Sequence, residues 1–360
     1  MNIIYVQSYP VYHDLIDENE FVEIANRDKW MPALTSQRGF PSQLWAAGRK
    51  TMEAEWQYDT LPSLPLRIFE TDQSDGKSRD HTSRALVEAA RSSGADFFVL
   101  KGIDGGIGVQ LAKQFLIPNR IAYALIIGGK WYHPIVKYAS AVLYETNYQF
   151  QQLSSRTLRF WRSVVPENKL IRLPKSVDVR HFAPESDTEK SLDIIAAGRI
   201  ISGIKNYNPL FELSRRLKIG VIGGGPMLPK YRRMYPEITW FGPISYSDMP
   251  TYLNKGKLFF HSSDREYYPR TISEAAACGV PPVAFSDSIQ DDVIPNNIGL
   301  RVSKNNYVRE ITNLLENSEQ LKDKSVAARK HAEKKLHHLS SHPAIREMIT
   351  RVRSSRKFPV

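Results

Sequence analysis

Residues 257–285, KLFFHSSDREYYPRTISEAAACGVPPVAF, constrain the fold more than any other stretch of this 360-residue chain. The apolar run 257–260 reads as a buried strand, and a polar turn follows over 261–268. Pro269 stands where a helix starts, 270–278 has helical composition, and Gly279 is a helix stop. Residues 282–285 then read as a second strand. A strand, a polar loop and a helix N-terminus together make an anion site, because the first turn's N–H groups and the helix dipole converge on it. Glu266 lies on the loop at the mouth of that site. Glu274, eight residues on, lies about one turn inside the helix, where a carboxylate can accept hydrogen bonds from two vicinal hydroxyls. A chance glutamate pair in an ordinary strand–helix unit is the alternative reading.

The rest of the second half repeats strand and helix at short spacing. Strands are expected at 192–197, 219–222 and 239–241, with helices at 207–216, 229–234 and 249–253. Such alternation predicts a doubly wound parallel sheet with ligands at the carboxyl ends of its strands. After strand 192–197 comes Gly198-Arg199-Ile-Ile-Ser-Gly-Ile-Lys205. Arg199 and Lys205, six residues apart on one loop, can reach one diphosphate, the arginine in a two-pronged contact and the lysine as a point charge. Two unrelated surface cations are the plainer reading of the loop alone.

In the first half, strands are expected at 2–7, 66–69, 96–100, 120–127 and 140–145, and helices at 81–92, 109–115 and 147–161. Residues 26–65, with Trp30, Trp45 and Trp56, show no clear period and are expected to contain one or two helices. The glycine-rich run after Lys101 is taken as a tight turn rather than a phosphate loop. Further helices are expected at 306–316, 319–336 and 343–352.

Taken together, the E-x7-E spacing of Glu266 and Glu274, the trailing E-A-A-A-C-G-V-P-P-V and the G-R-x5-K of Arg199 and Lys205 resemble the retaining GT-B glycosyltransferases related to family 4, the glycosyl transferases group 1. The junction Pro174-Lys-Ser-Val-Asp-Val-Arg-His-Phe-Ala-Pro184 is similar to the family's, with Ser176 where glycine is usual. The resemblance implies two Rossmann-like domains facing each other across a cleft: an acceptor-side domain at 1–173, a nucleotide-sugar domain at 174–340, and a helix with a basic tail at 341–360 that crosses back to the first. It implies transfer of a sugar from a UDP- or GDP-sugar to a hydroxyl acceptor with retention of configuration, without a cofactor. Arg199, Lys205, Glu266 and His133 are then the catalytic candidates. Arg199, Lys205, Glu266, Tyr268, Pro269, Arg270, Thr271 and Glu274 are the candidates for holding the donor, with Asp264 and Arg265 flanking.

Three departures from the family pattern matter. The loop 8–14 lacks the family's glycine pair, so Tyr9, Tyr12 and His13 are candidates for acceptor contact instead. Gly128 and Gly129 stand where a histidine–glycine pair is usual, leaving Lys130 or His133 to serve near the transferred sugar. Tyr267, Tyr268 and Pro269 replace Gly-Phe-Gly and reshape the sugar pocket. No Asp-x-Asp or H-E-x-x-H occurs, in keeping with a metal-independent reaction.

Net charge is +11, and residues 321–360 hold eleven Lys/Arg against three Asp/Glu. That tail is either a solvated helical face or a site for anionic lipid headgroups or nucleic acid. A DNA-modifying glycosyltransferase, a nucleotide-sugar epimerase and a non-catalytic nucleotide-sugar-binding protein are the competing functions. The N-terminus lacks the basic and apolar regions of a leader, and the single cysteine, Cys278, suits a reducing compartment. The expectation is a cytoplasmic protein, peripheral to the inner face of a membrane if the tail binds lipid.

Overall fold

The computed structural model describes residues 1–7, 17–73, 80–101, 106–129, 133–154, 165–203, 205–264 and 266–355. The chain forms two compact units, Met1–Pro174 with Ser341–Val360, and Lys175–Ser340.

The first unit is built on eight strands: β1 (Ile3–Gln7), β2 (Ser42–Gly48), β3 (Met52–Trp56), β4 (Leu64–Glu70), β5 (Phe97–Lys101), β6 (Tyr123–Ile126), β7 (Ala141–Tyr144) and β8 (Leu170–Arg172). Their order is β3-β4-β2-β1-β5-β6-β7-β8, parallel throughout except for the antiparallel β3–β4 pair. A parallel sheet is covered on both faces, which is why β1 and β5 are near-continuous apolar runs. Ile3 and Tyr5 join one core cluster with Phe97 and Val99, while Ile4 and Val6 join the other with Phe98 and Leu100.

The stretch 26–65 contains one expected helix and, in addition, strands that the sequence reading did not place. It holds the helix Arg27–Gln37, but Trp45 lies in β2 and Trp56 in β3. The reason is local: Met52-Glu-Ala-Glu-Trp56 alternates by two, with Glu53 and Glu55 outward and Trp56 buried at the sheet edge. Aromatic rings also suit a pleated surface better than a helix. The three-residue β8 carries too little sequence to show a period.

The last helix, His342–Ser355, belongs to the first unit. Ala344, Ile345, Met348, Ile349 and Val352 form its apolar stripe and enter the cluster that holds Ile3 and Tyr5.

The second unit has six parallel strands: β9 (Leu192–Ala197), β10 (Ile219–Ile222), β11 (Thr239–Gly242), β12 (Gly256–His261), β13 (Pro282–Phe285) and β14 (Leu300–Val302). Their order is β11-β10-β9-β12-β13-β14. From β9 the chain winds outward through β10 and β11, then returns to β12 on β9's other side. The winding therefore reverses between β9 and β12, and in a doubly wound sheet a ligand crevice opens at the carboxyl ends of that pair. Along β12 Leu258 and Phe260 face one cluster and Phe259 the opposite one. No helix among the described residues is long and apolar enough to cross a membrane.

Candidate functional site

The reversal places two loops side by side, the one that leaves β9 at Gly198 and the one that leaves β12 at Ser262. The β9 loop lies on the loop that follows β10. Gly198 N donates to Ile222 O at 3.0 Å, Ile200 N to Gly224 O at 2.8 Å, and Met227 N to Ile200 O at 3.1 Å. Backbone meets backbone so closely that a Cβ at Gly223, where φ is +138°, would stand 2.0 Å from Gly198 O. Tyr207, buried at the loop's far end, donates its hydroxyl toward the carbonyls of Gly198 and Arg199 at 3.2 Å each.

The β12 loop is tied to this frame. Ser262 Oγ donates to Asn206 O at 2.6 Å. Lys205 Nζ and Glu266 Oε1 form a partly buried ion pair, which brings together the cation of one loop and the carboxylate of the other. Lys304, beyond β14, reaches Asp264 and Asp287 at 3.0 Å each, tying the loop also to the segment after β13.

Pro269 is the cap residue of the helix Arg270–Ala277, and no side chain caps that end. Uncapped first-turn N–H groups and the helix dipole make it receptive to an anion. The helix stops as its sequence dictates. Gly279 adopts φ +67°, its N–H reaches Ala276 O, and Val280 N reaches Ala275 O.

Glu274 sits on the buried side of this helix, and its carboxylate makes no hydrogen bond to any described residue. Burial pushes its pKa up to about 7 against the opposing pull of the Arg270 and Lys175 charges. His261, the last residue of β12, is buried with its Nε2 unpartnered among the described residues. Burial, with the neighbouring Lys205 charge, carries its pKa down to about 3, so the imidazole is neutral.

Of the other sequence candidates, Arg199 is half-buried beside Tyr207 and makes no ion pair among the described residues. Tyr268 is buried, with Lys175 Nζ 5.9 Å from its ring centre, while Pro269 and Thr271 are half-buried and Arg270 is exposed. His133 lies in the first unit and caps the short turn Pro134–Tyr138. Its Nδ1 accepts from Ile135 N at 3.3 Å, and burial with the Lys113 charge lowers its pKa. Tyr9, Tyr12, His13, Lys130 and Arg265 fall outside the described residues.

Sequence reading missed Lys175, Tyr207, His261 and Lys304. Lys175 was legible inside the junction motif and Tyr207 two residues after Lys205. Lys304 carries no local signal, being 40 residues from Asp264.

Residues 184–331 match the family described as glycosyl transferases group 1. A GDP-mannose-dependent alpha-mannosyltransferase of Corynebacterium glutamicum is 25% identical over 198 residues, which are 50% of this chain and 48% of that protein. The match thus spans about half the length of that relative. Among solved structures, the sucrose-phosphate synthase of Thermosynechococcus elongatus aligns with TM-score 0.71 at 14% identity, over 99% of this chain and 98% of that one. Anabaena Alr3699/HepE, solved in complex with UDP, aligns with TM-score 0.67 at 11% identity, over 97% of this chain and 100% of that one. The fold is GT-B.

Proposed function

The chain carries a group 1 glycosyltransferase unit on a GT-B fold, and from that premise we propose that it moves a hexose from a nucleoside diphosphate sugar to a hydroxyl acceptor. The observation that carries the reading is the meeting of Lys205 and Glu266 at the reversal between β9 and β12, with Arg199 on the same loop and Glu274 in the adjoining helix.

Glycosyl transfer passes through an oxocarbenium-like transition state as the diphosphate departs. Preorganised charge aimed at the leaving group is the largest help an enzyme can give. Arg199, Lys205 and the uncapped first turn at Arg270 and Thr271 supply that charge in the proposed site, with no metal ion needed. Glu266 accepts from the donor sugar's hydroxyls and Glu274 from the ribose pair, while Tyr268 and Pro269 shape the pocket. Retention of configuration is part of the proposal, supported by the E-x7-E resemblance, with the acceptor attacking on the leaving-group face.

The first unit is assigned the acceptor. There His133, with Nδ1 accepting from Ile135, holds its proton on Nε2 and offers it to a sugar hydroxyl. UDP and GDP are the leading donor bases, since the relatives' names carry one each. A peripheral place on an anionic membrane, on the cytoplasmic side, completes the reading.

Thermal unfolding with UDP, GDP, ADP and TDP tests it. A nucleotide at about a hundred times its Kd adds about 2.7 kcal/mol to the folded state. One nucleotide should raise the midpoint of the wild type, and Glu274→Ala and Lys205→Ala should each shrink the rise. No rise with any nucleotide would retire the donor site.

A further inference from the structure

Lys205 and Glu266 are both assigned to the donor, and they are paired with each other. The pair is partly buried, with side-chain exposures of 18% and 26%, so bulk water screens it incompletely. A diphosphate that needs Lys205 must therefore displace a resident carboxylate. We infer that Glu266 is a specificity-determining residue that selects the sugar-bearing donor over the spent nucleoside diphosphate by competing for Lys205. The inference rests on the donor-site reading and extends it.

The discrimination follows from what each ligand gives back. When a sugar diphosphate takes Lys205, Glu266 loses a cation and gains the sugar's hydroxyls, which donate hydrogen bonds to a carboxylate. When a bare nucleoside diphosphate takes Lys205, the hydroxyls are missing. Its terminal phosphate, with a second pKa near 6, also carries about one more negative charge at neutral pH than the esterified form. Glu266 then faces a like charge with nothing in exchange.

One bond, from Ser262 Oγ to Asn206 O beside Lys205, ties the two loops together, and Lys304 anchors Asp264, two residues from Glu266, on the β12 loop. Among the described residues, Glu266 is the partner of Lys205 Nζ and so the group a ligand must displace. The product is thereby expelled by the same carboxylate that receives the substrate.

Calorimetric titration of UDP, GDP, UDP-glucose and GDP-mannose into the wild type, Glu266→Gln, Lys205→Met and the double variant tests the inference. Glu266→Gln should bind the responding nucleoside diphosphate roughly three- to tenfold more tightly than the wild type. It should bind the sugar nucleotide no more tightly, so the preference for the sugar-bearing form narrows. In the Lys205→Met background only the like-charge repulsion is left to relieve, so the same substitution should tighten nucleoside diphosphate binding by clearly less than it does with Lys205 in place. Unchanged or weaker binding by Glu266→Gln, or equal tightening in both backgrounds, overturns the inference. Glu266→Asp, which keeps the charge, should stay near wild type and guards against misfolding of the amide variant. Glu274→Ala reports on the donor-site reading separately. If it binds like the wild type while Glu266→Gln tightens, the competition stands and the ribose assignment falls. If no form binds any nucleotide, both fall.

Discussion

Glu274, assigned to the ribose in the proposed site, is a carboxylate held at a cost to the fold. Its pKa is near 7 in the folded protein, against 4.5 for a free glutamate. Between those values the folded state binds a proton that the unfolded state has lost, so stability falls as pH rises from about 4.5 through 7. The burden is complete above 7. A rise from 4.5 to about 7 corresponds to a ceiling of roughly 3 kcal/mol. Glu274→Gln should therefore match the wild type most closely in urea unfolding at pH 4 and exceed it at pH 8 by up to that amount, while losing nucleotide binding. Equal stability at both pH values would mean the carboxylate is not desolvated. His261 slopes the other way. Its folded pKa near 3 lies below the ordinary 6.5, so its contribution is present above 6.5 and is lost as pH falls toward 3. Glu266, Glu274, Arg199 and Lys205 were legible because each lies at a set distance from its partner within one loop–helix stretch. His261 was not, because burial at a strand end has no sequence signature distinct from an apolar strand residue.

At the scale of elements, the site depends on how closely the loops after β9 and β10 lie together. Gly223 has no room for a Cβ, since Gly198 O would be 2.0 Å away. That oxygen belongs to the backbone and cannot swing aside. Gly223→Ala should cost roughly 2–4 kcal/mol in urea unfolding, from the collision and the positive φ together. It should also weaken nucleotide binding by moving Arg199. Tyr207→Phe, which removes only a hydroxyl donating to two carbonyls, should cost about 1 kcal/mol. The reverse ranking would mean that the hydroxyl, not backbone contact, holds the loop. Sequence showed these elements clearly where strand and helix alternate at short spacing. Strands 219–222 and 282–285 fall where expected, as β10 and β13. It showed them poorly over 26–65, where one helix was expected and found but the strands were not placed, although the alternation of Glu53 and Glu55 marks β3.

On the scale of the whole molecule, the basic C-terminal run looks different once its residues are placed. Up to Ser340 the run holds six Lys/Arg against two acids and lies in the second unit; beyond it there are five against one, in the first. Composition alone does not divide this excess, since there is no break at Ser340; the division at 340 comes from the resemblance, which implies a last helix returning to the first domain. Several of the cations also have structural employment. Arg329 donates to the carbonyls of Val179, Phe182 and Ala277 at 3.0, 2.8 and 2.8 Å, and Lys324 to Gly299 O at 2.9 Å. Arg351 reaches Leu170 O at 3.2 Å and pairs with Glu347. What remains exposed on the last described helix is Arg346 and Arg353, opposite the stripe of Ile345, Met348 and Val352. If the proposed membrane contact runs through this helix, those two carry it, and Arg351 does not. Each cation near an anionic surface contributes about 1 kcal/mol, so neutralising both should lower partitioning roughly 20- to 30-fold. Cosedimentation with vesicles of phosphatidylcholine and phosphatidylglycerol at about 0.1 M salt measures it on Arg346→Gln/Arg353→Gln. Lys334→Gln/Lys335→Gln, from the second unit, serves as the comparison. A fall confined to the first pair places the contact on the C-terminal helix; a fall confined to the second pair moves it to the other unit, and no fall in either retires the membrane reading.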